Sequence, residues 1–153
     1  MPKLLEALKN FFTEDDWGFV IQDNDPILRL QYLAADYGWI CYAHALEEEE
    51  QFVFYSIAPL QVREPKLWLC LEYLTRANFN LILGNFELDM DRGLVRFKTS
   101  IDVEGDRLSQ SLFRSVVYSN VAMMEHYLPG LDAILAKNAT PSEALVLAEG
   151  QDN

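Results

Sequence analysis

Two neighbouring segments of the chain, residues 37–46 and 52–57, are apolar at both odd and even positions. Successive side chains of an extended strand point to opposite faces, so a strand of this kind has two faces that avoid water. The acidic connection Glu47-Glu48-Glu49-Glu50-Gln51 lies between them. This pair of segments therefore predicts a hairpin at the centre of a sheet that is covered on both faces.

The sequence before and after this hairpin predicts three helices and four further strands. Apolar residues at helical spacing mark helices over 3–12, 65–78 and Leu108 to Leu131, the last with a bend or interruption at Pro129-Gly130. Alternating apolar residues predict strands over 19–22, 28–32, 86–90 and 95–103. The predicted fold is α+β, a twisted antiparallel sheet of about five strands with three main helices in the order α-β-β-β-α-β-β-α.

No internal repeat or linker divides the sequence, and a chain of 153 residues has the ordinary length of one domain. We therefore expect a single domain over residues 1–138 and a C-terminal tail over 139–153. Thr140-Pro141-Ser142-Glu143 has the form of a capping box with Pro at the first helical position, so the tail has room for a short helix.

The charge balance restricts the possible partners. Twelve Lys and Arg against 24 Asp and Glu give a net charge of −12, which disfavours nucleic acid and anionic lipid and favours basic partners. No apolar run approaches the roughly 18 residues that span a bilayer. Glu6 interrupts the first apolar residues before the core of a signal peptide can form, so we expect a cytoplasmic protein.

The side chains that usually perform chemistry are scattered. His44 and His126 are the two imidazoles, and Cys41 and Ser56 lie near His44 in the predicted hairpin. Asp89 to Gly93 lacks the ligand spacing of a calcium loop and fits a hairpin turn better, and the acidic connection fits a solvated loop. We therefore expect no catalytic residue, no metal site and no cofactor, with a small enzyme that uses His44 as an alternative.

The helix over 65–78 is apolar nearly all round. Leu67, Leu71 and Leu74 share one stripe, whereas Leu69 and Tyr73 are expected to point the opposite way, with Trp68 beside the first stripe. A helix of this kind must be covered on more than one side. This pattern indicates either a helix sandwiched within the chain or a subunit interface. We predict the second, a homodimer with interface candidates Trp68, Leu69 and Tyr73.

Several phrases of the sequence resemble the YbjN-like family over about residues 17 to 135. They are Phe54-Tyr55-Ser56-Ile57-Ala58-Pro59, Arg63-Glu64-Pro65-Lys66, Asn78, Gly84-Asn85-Phe86-Glu87-Leu88-Asp89, Gly93-Leu94-Val95-Arg96-Phe97 and Tyr127-Leu128-Pro129. The resemblance implies a fold similar to the type III secretion chaperones and an often dimeric, non-enzymatic protein, with no catalytic residues to carry over. The chain departs from the commonest family pattern at Arg63-Glu64 and in its acidic loop.

Taken together, these patterns predict a non-enzymatic cytoplasmic protein-interaction module, chaperone-like or adaptor and regulatory, that binds an unidentified polypeptide as a homodimer. A regulatory module that senses a small ligand between sheet and helices is the first alternative. The enzyme that uses His44 is the second. A broad apolar surface would favour the interaction module, whereas a pocket of convergent polar groups would favour the other two.

Overall fold

A computed structural model of the chain describes residues 3–21, 25–105 and 109–150. The helices are α1 (Lys3–Glu14), α2 (Leu67–Asn80), α3 (Gln110–Lys137) and α4 (Pro141–Glu149). The strands are β1 (Phe19–Ile21), β2 (Ile27–Leu33), β3 (Gly38–Leu46), β4 (Gln51–Gln61), β5 (Asn85–Asp89) and β6 (Leu94–Asp102). The predicted α+β class is confirmed, but the predicted order α-β-β-β-α-β-β-α is wrong in detail, because four strands precede α2 and α4 follows α3. Gln22 and Leu108, where a predicted strand ends and a predicted helix begins, lie outside the described residues.

The strands form one antiparallel sheet in the order β1-β2-β3-β4-β6-β5. The sheet has six strands, against the five or so expected. The predicted strand at residues 19–22 forms β1, which pairs with β2 at one edge. At the opposite edge, the side-chain amide of Asn78 bonds to both the N–H and the C=O of Phe86. An unpaired strand edge invites another chain to pair with it, so Asn78 protects β5 at this position.

The core lies between the helices and one face of the sheet. The ring of Phe12 on α1 stacks on Phe54 of β4 with 6.3 Å between centroids, and Phe113 on α3 meets Phe52 edge-on at 5.6 Å. On the other face, the side chains of β2 to β6 are half-buried or exposed. Within residues 3–21, 25–105 and 109–150, the prediction that both faces are covered is therefore wrong, because the helices pack on the same side.

One buried amide ties α3 to this core. Asn120 has no exposed surface, and its Nδ2 donates to the backbone oxygens of Phe54 and Phe97 and to the hydroxyl of Thr99. Thr99 in turn donates to the C=O of Val116. Because a buried polar group is costly unless it is bonded, this network fixes where α3 crosses β4 and β6.

The long helix α3 continues through Pro129 without the predicted interruption and ends at Lys137. Asn138 then adopts a left-handed conformation with a φ of 57°, which ends the helix. Lys66, from the Arg63-Glu64-Pro65-Lys66 phrase, donates through Nζ to the C=O of Ile134 at 2.7 Å and of Leu135 at 3.2 Å. This cation satisfies carbonyls at the end of α3 and connects it to the start of α2.

The C-terminal segment forms the helix that its capping box predicts. Thr140 and Glu143 bond to each other's backbone N–H groups, and Ala144 and Ala148 are fully buried against the domain. Helix α4 packs on α2 and α3, so this segment is part of the core rather than a tail.

The acidic connection is also partly structural. The carboxylate of Glu47 accepts the backbone N–H groups of Leu4 and Leu5 at 3.0 and 2.8 Å, whereas the next three glutamates are exposed. A carboxylate at a helix N-terminus satisfies donors that have no partner within the helix, so Glu47 caps α1. In the described part of the chain, no helix has the length and apolar content needed to cross a membrane.

Candidate protein-interaction site

The inner face of α2 is closed by the other helices. Tyr73 has no exposed surface, and its hydroxyl donates to the C=O of Tyr127 on α3 at 2.8 Å. Burial raises the pKa of Tyr73, so its hydroxyl stays neutral and acts as a donor. The structure therefore corrects the prediction that Tyr73 lies on an outer surface with Leu69. The α4 helix, which the sequence placed in a tail, lies alongside α2 and helps to enclose Tyr73.

The outer face of α2 is open and apolar. Trp68 is 64% exposed, Leu69 is 39% exposed, and Phe79 near the end of the helix is 89% exposed. Ile82 and Leu83, in the connection to β5, are 95% and 59% exposed. Large apolar side chains with this much exposure in one stretch of sequence make a candidate interaction surface. We call this set of five residues, together with the Glu72 and Arg76 between them, the α2 outer face.

Two of the predicted interface residues, Trp68 and Leu69, lie on this surface. Phe79, Ile82 and Leu83 were missed, although a signal was present in the sequence. Residues 79–83 read Phe-Asn-Leu-Ile-Leu just beyond the predicted end of the helix, where a connection is expected to be polar.

Glu72 and Arg76 divide the apolar side chains of the α2 outer face. Arg76 Nε lies 2.8 Å from the carboxylate of Glu72, and both side chains are about half exposed. An exposed pair one helical turn apart stabilises its own helix only by about 0.3–0.5 kcal/mol. Both charges therefore remain available to a partner at little cost.

A second surface is formed by the uncovered side of the sheet, which we call the open sheet face. The strand register places Arg29, Tyr42, Tyr55 and Lys98 side by side in one row across β2, β3, β4 and β6. Ile40 and Ile57 lie opposite each other in the next row. Two tyrosines at the centre of the sheet are thus flanked by a cation on each side.

The cations of the open sheet face are held in place. The Arg96 guanidinium lies 4.3 Å from the centroid of the Tyr55 ring. Glu87 accepts from Arg96 at 2.7 Å and from Lys98 at 2.9 Å. Burial works to raise the pKa of Glu87, but the hydrogen bonds from Lys98 and Arg96 outweigh it and lower that pKa. Glu87 therefore stays ionised and orders both cations beside the tyrosine.

The structure separates the residues of the proposed His44 enzyme. Cys41 and Ser56 face the helices, where Ser56 accepts a hydrogen bond from the Trp39 indole at 2.9 Å. His44 lies on the open sheet face, half-buried. Burial raises the pKa of the Cys41 thiol to about 12, so this thiol is not an ionised nucleophile at neutral pH. His44 has neither of these side chains to activate.

The other histidine lines a polar hollow between α3 and the loop before β3. Its lining residues are Asp36, Tyr37, Ala122, Glu125, His126 and Pro129. None of these described lining residues is a serine, cysteine or threonine, the side chains that a histidine activates as nucleophiles. In the described ranges 3–21, 25–105 and 109–150, no group of three or more His, Cys, Asp or Glu side chains is arranged to hold a metal ion.

Comparison with known proteins agrees with this fold. The family model YbjN, described as "Putative bacterial sensory transduction regulator", matches residues 4–133. The chain belongs to the YbjN family. The crystal structure of YbjN from E. coli superimposes with a TM-score of 0.67 at 15% sequence identity, and the match covers 87% of this chain and 92% of that one. No curated protein matches the sequence.

Two structures of chaperone complexes share this fold. The HopA1–SchA chaperone–effector complex matches with a TM-score of 0.52 at 16% identity, covering 78% of this chain and 88% of that one. The Yersinia pestis type III secretion chaperone SycH, solved in complex with a stable fragment of YscM2, matches with a TM-score of 0.50 at 16% identity. That match covers 80% of this chain and 97% of the other. The predicted resemblance to type III secretion chaperones is confirmed for the fold.

Proposed function

We propose that this chain is a non-enzymatic, cytoplasmic polypeptide-binding module that works as a homodimer through the α2 outer face. The observation that carries the proposal is the exposure of Trp68 and Phe79 on α2 and of Ile82 just after it. An apolar surface of this kind is unfavourable in water unless a protein covers it. The chaperone–effector complexes of similar fold support a polypeptide as partner.

The order of residues along α2 supports a second copy as the covering molecule. A twofold axis perpendicular to α2 would bring two copies of the helix together antiparallel, so that residues equally far from the axis on either side face each other. The midpoint between Trp68 and Phe79 nearly coincides with the midpoint between Glu72 and Arg76. One axis therefore pairs Trp68 with Phe79 of the second copy and Glu72 with Arg76 of the second copy.

This pairing is complementary in both shape and charge. An aromatic side chain contacts an aromatic one at each end, and an acid contacts a base near the centre. An isologous interface needs this kind of self-complementary surface, because both copies contribute the same residues. Aromatic side chains are also the residues that contribute most to binding energy at interfaces. The α2 outer face thus provides apolar contact area and two ion pairs with no change in the fold.

The test is the mass of the protein in solution, measured by light scattering at micromolar concentration. We expect the wild type to have twice the chain mass of 17.6 kDa and both Trp68→Asp and Leu69→Asp to have the mass of one chain. Val146→Asp is the matched control, because Val146 is 72% exposed on α4 and lies outside the α2 outer face. A wild-type mass of 17.6 kDa would overturn the homodimer, and dimeric Trp68→Asp and Leu69→Asp would overturn its location.

A further inference from the structure

The open sheet face is apolar at its centre and lies on the side away from the core. Tyr42, Tyr55, Ile40 and Ile57 are half-buried by their neighbours in the sheet, while the helices pack on the opposite side. Beside them lies a shallow hollow whose lining includes Gly38, Ile40, Ile57 and Pro59. The sequence predicted a cover for both faces of these strands, and the described residues cover one of them.

The charge of this face differs from that of the whole molecule. Arg29, Arg96 and Lys98 surround the two tyrosines, and Glu87 is the acid among them, whereas the whole chain has 24 acids against 12 bases. Two more acids of β5 and β6 belong to the open sheet face. They are Asp89 and Asp102, and each lies at the end of its strand. A molecule with a net charge of −12 therefore presents locally positive charge around apolar side chains.

We propose that the open sheet face binds an extended segment of a partner polypeptide in which two carboxylates flank an apolar side chain. The inference rests on the proposed function and adds the chemistry of the partner to it. Carboxylates pair with Arg29 on one side and with Lys98 and Arg96 on the other. The apolar side chain lies on the tyrosines or in the hollow beside Ile40.

The dimensions of the row give the spacing of the carboxylates. Arg29 and Lys98 are three strand spacings apart, or about 14 Å between backbones. In an extended peptide, residues four positions apart are separated by about 13 Å, and every second side chain points the same way. The expected segment therefore carries acids at positions one and five and an apolar residue at position three.

The charge of the open sheet face also disfavours two other kinds of ligand, a basic peptide and a single-stranded nucleic acid. A segment with basic flanks, which the net charge of the chain favours, would meet three cations at short range on this face. A single-stranded nucleic acid would find aromatic rings and cations here, but its regular phosphates extend beyond the face onto a strongly acidic surface. A short acidic segment places its charges only between Arg29 and Lys98, so it avoids the acidic surface around the open sheet face.

The experiment is an NMR titration of the isotope-labelled full chain with three defined probes. The first is a peptide containing Glu-Ser-Leu-Ser-Glu, the second replaces both glutamates by lysine, and the third is an oligothymidylate of matched length. We expect the acidic peptide to shift amide signals of β3 and β4 and to bind at least fivefold more tightly than either other probe. Arg29→Glu should weaken its binding at least fivefold, because Arg29 is exposed and provides one end of the row.

Arg92→Glu is the matched control, since it makes the same change at an exposed arginine in the turn between β5 and β6. Its binding of the acidic peptide should stay within twofold of the wild type. Equal or tighter binding of the oligothymidylate, or acidic-peptide binding that Arg29→Glu leaves unchanged, would overturn the inference.

Two further outcomes separate this inference from the proposed function. If the lysine peptide binds more tightly and its binding is insensitive to Arg29→Glu, polypeptide binding stands while the acidic partner is wrong. If no peptide binds and light scattering shows a single chain, the proposed function and this inference both fail.

Discussion

The inner and outer faces of α2 both carry aromatic side chains but have different surroundings. On the inner face, Tyr73 and Cys70 have no exposed surface, and the Tyr73 hydroxyl is bonded to α3. On the outer face, Trp68 and Phe79 project into solvent on either side of an exposed ion pair. The difference shows that an aromatic side chain on a helix becomes core or interface according to what the rest of the chain places against it.

The inner face depends on a close fit between two helices. Gly130 of α3 lies against Tyr73, so that a Cβ built at Gly130 would be 2.0 Å from the Tyr73 hydroxyl oxygen. No side chain fits in that space, and the ring would have to move out of a closed core. The outer face has no such constraint, so substitutions on the two faces should affect different properties.

The largest effect on stability is expected from Gly130→Ala. An alanine normally stabilises a helix relative to glycine, but here overpacking against Tyr73 should lower the free energy of unfolding by roughly 1–3 kcal/mol. Urea denaturation measures the change. Gly18→Ala is the control, because a Cβ at Gly18 meets nothing within 4 Å and should leave stability nearly unchanged. Equal stability of the Gly130→Ala variant and the wild type would show that the inner face is loosely packed.

A smaller effect is expected from Tyr73→Phe, which keeps the ring and removes the hydroxyl. The variant loses the hydrogen bond to the C=O of Tyr127, and the free energy of unfolding should fall by about 1 kcal/mol. The mass in solution should stay that of the wild type, because Tyr73 lies on the inner face. A change of mass with unchanged stability would instead place Tyr73 at the interface.

The smallest effect on folding is expected from reversing the ion pair of the outer face. Glu72→Arg should lower the stability of a single chain by only about 0.5 kcal/mol, because the pair is exposed. In the proposed dimer, the same change places two arginines opposite each other and should weaken association. The double variant Glu72→Arg with Arg76→Glu restores both pairs, so the strength of the dimer should recover. Light scattering over a dilution series measures that strength. Failure of the double variant to recover would argue against antiparallel pairing.

The local pattern of the sequence determined most of the elements. Helical spacing of leucines and phenylalanines gave α1 and α2, and the alternation in residues 28–32 and 86–103 gave strands with one covered face. These patterns are readable because side-chain direction in a helix or strand follows from position along the chain. The capping box at Thr140 likewise marked the start of α4, because the bonds that form it are local.

Burial was decided by the tertiary structure. Nothing near Tyr73 in the sequence shows that Gly130, 57 residues later, leaves room for its hydroxyl, or that α4 lies alongside. The row of Arg29, Tyr42, Tyr55 and Lys98 likewise arises only when four strands align in register. Periodicity fixes the direction of a side chain relative to its own element, whereas its exposure depends on the elements that pack against it. The sequence by itself therefore determined the elements and their apolar faces, and the packing of α3 and α4 decided which of those faces remain open.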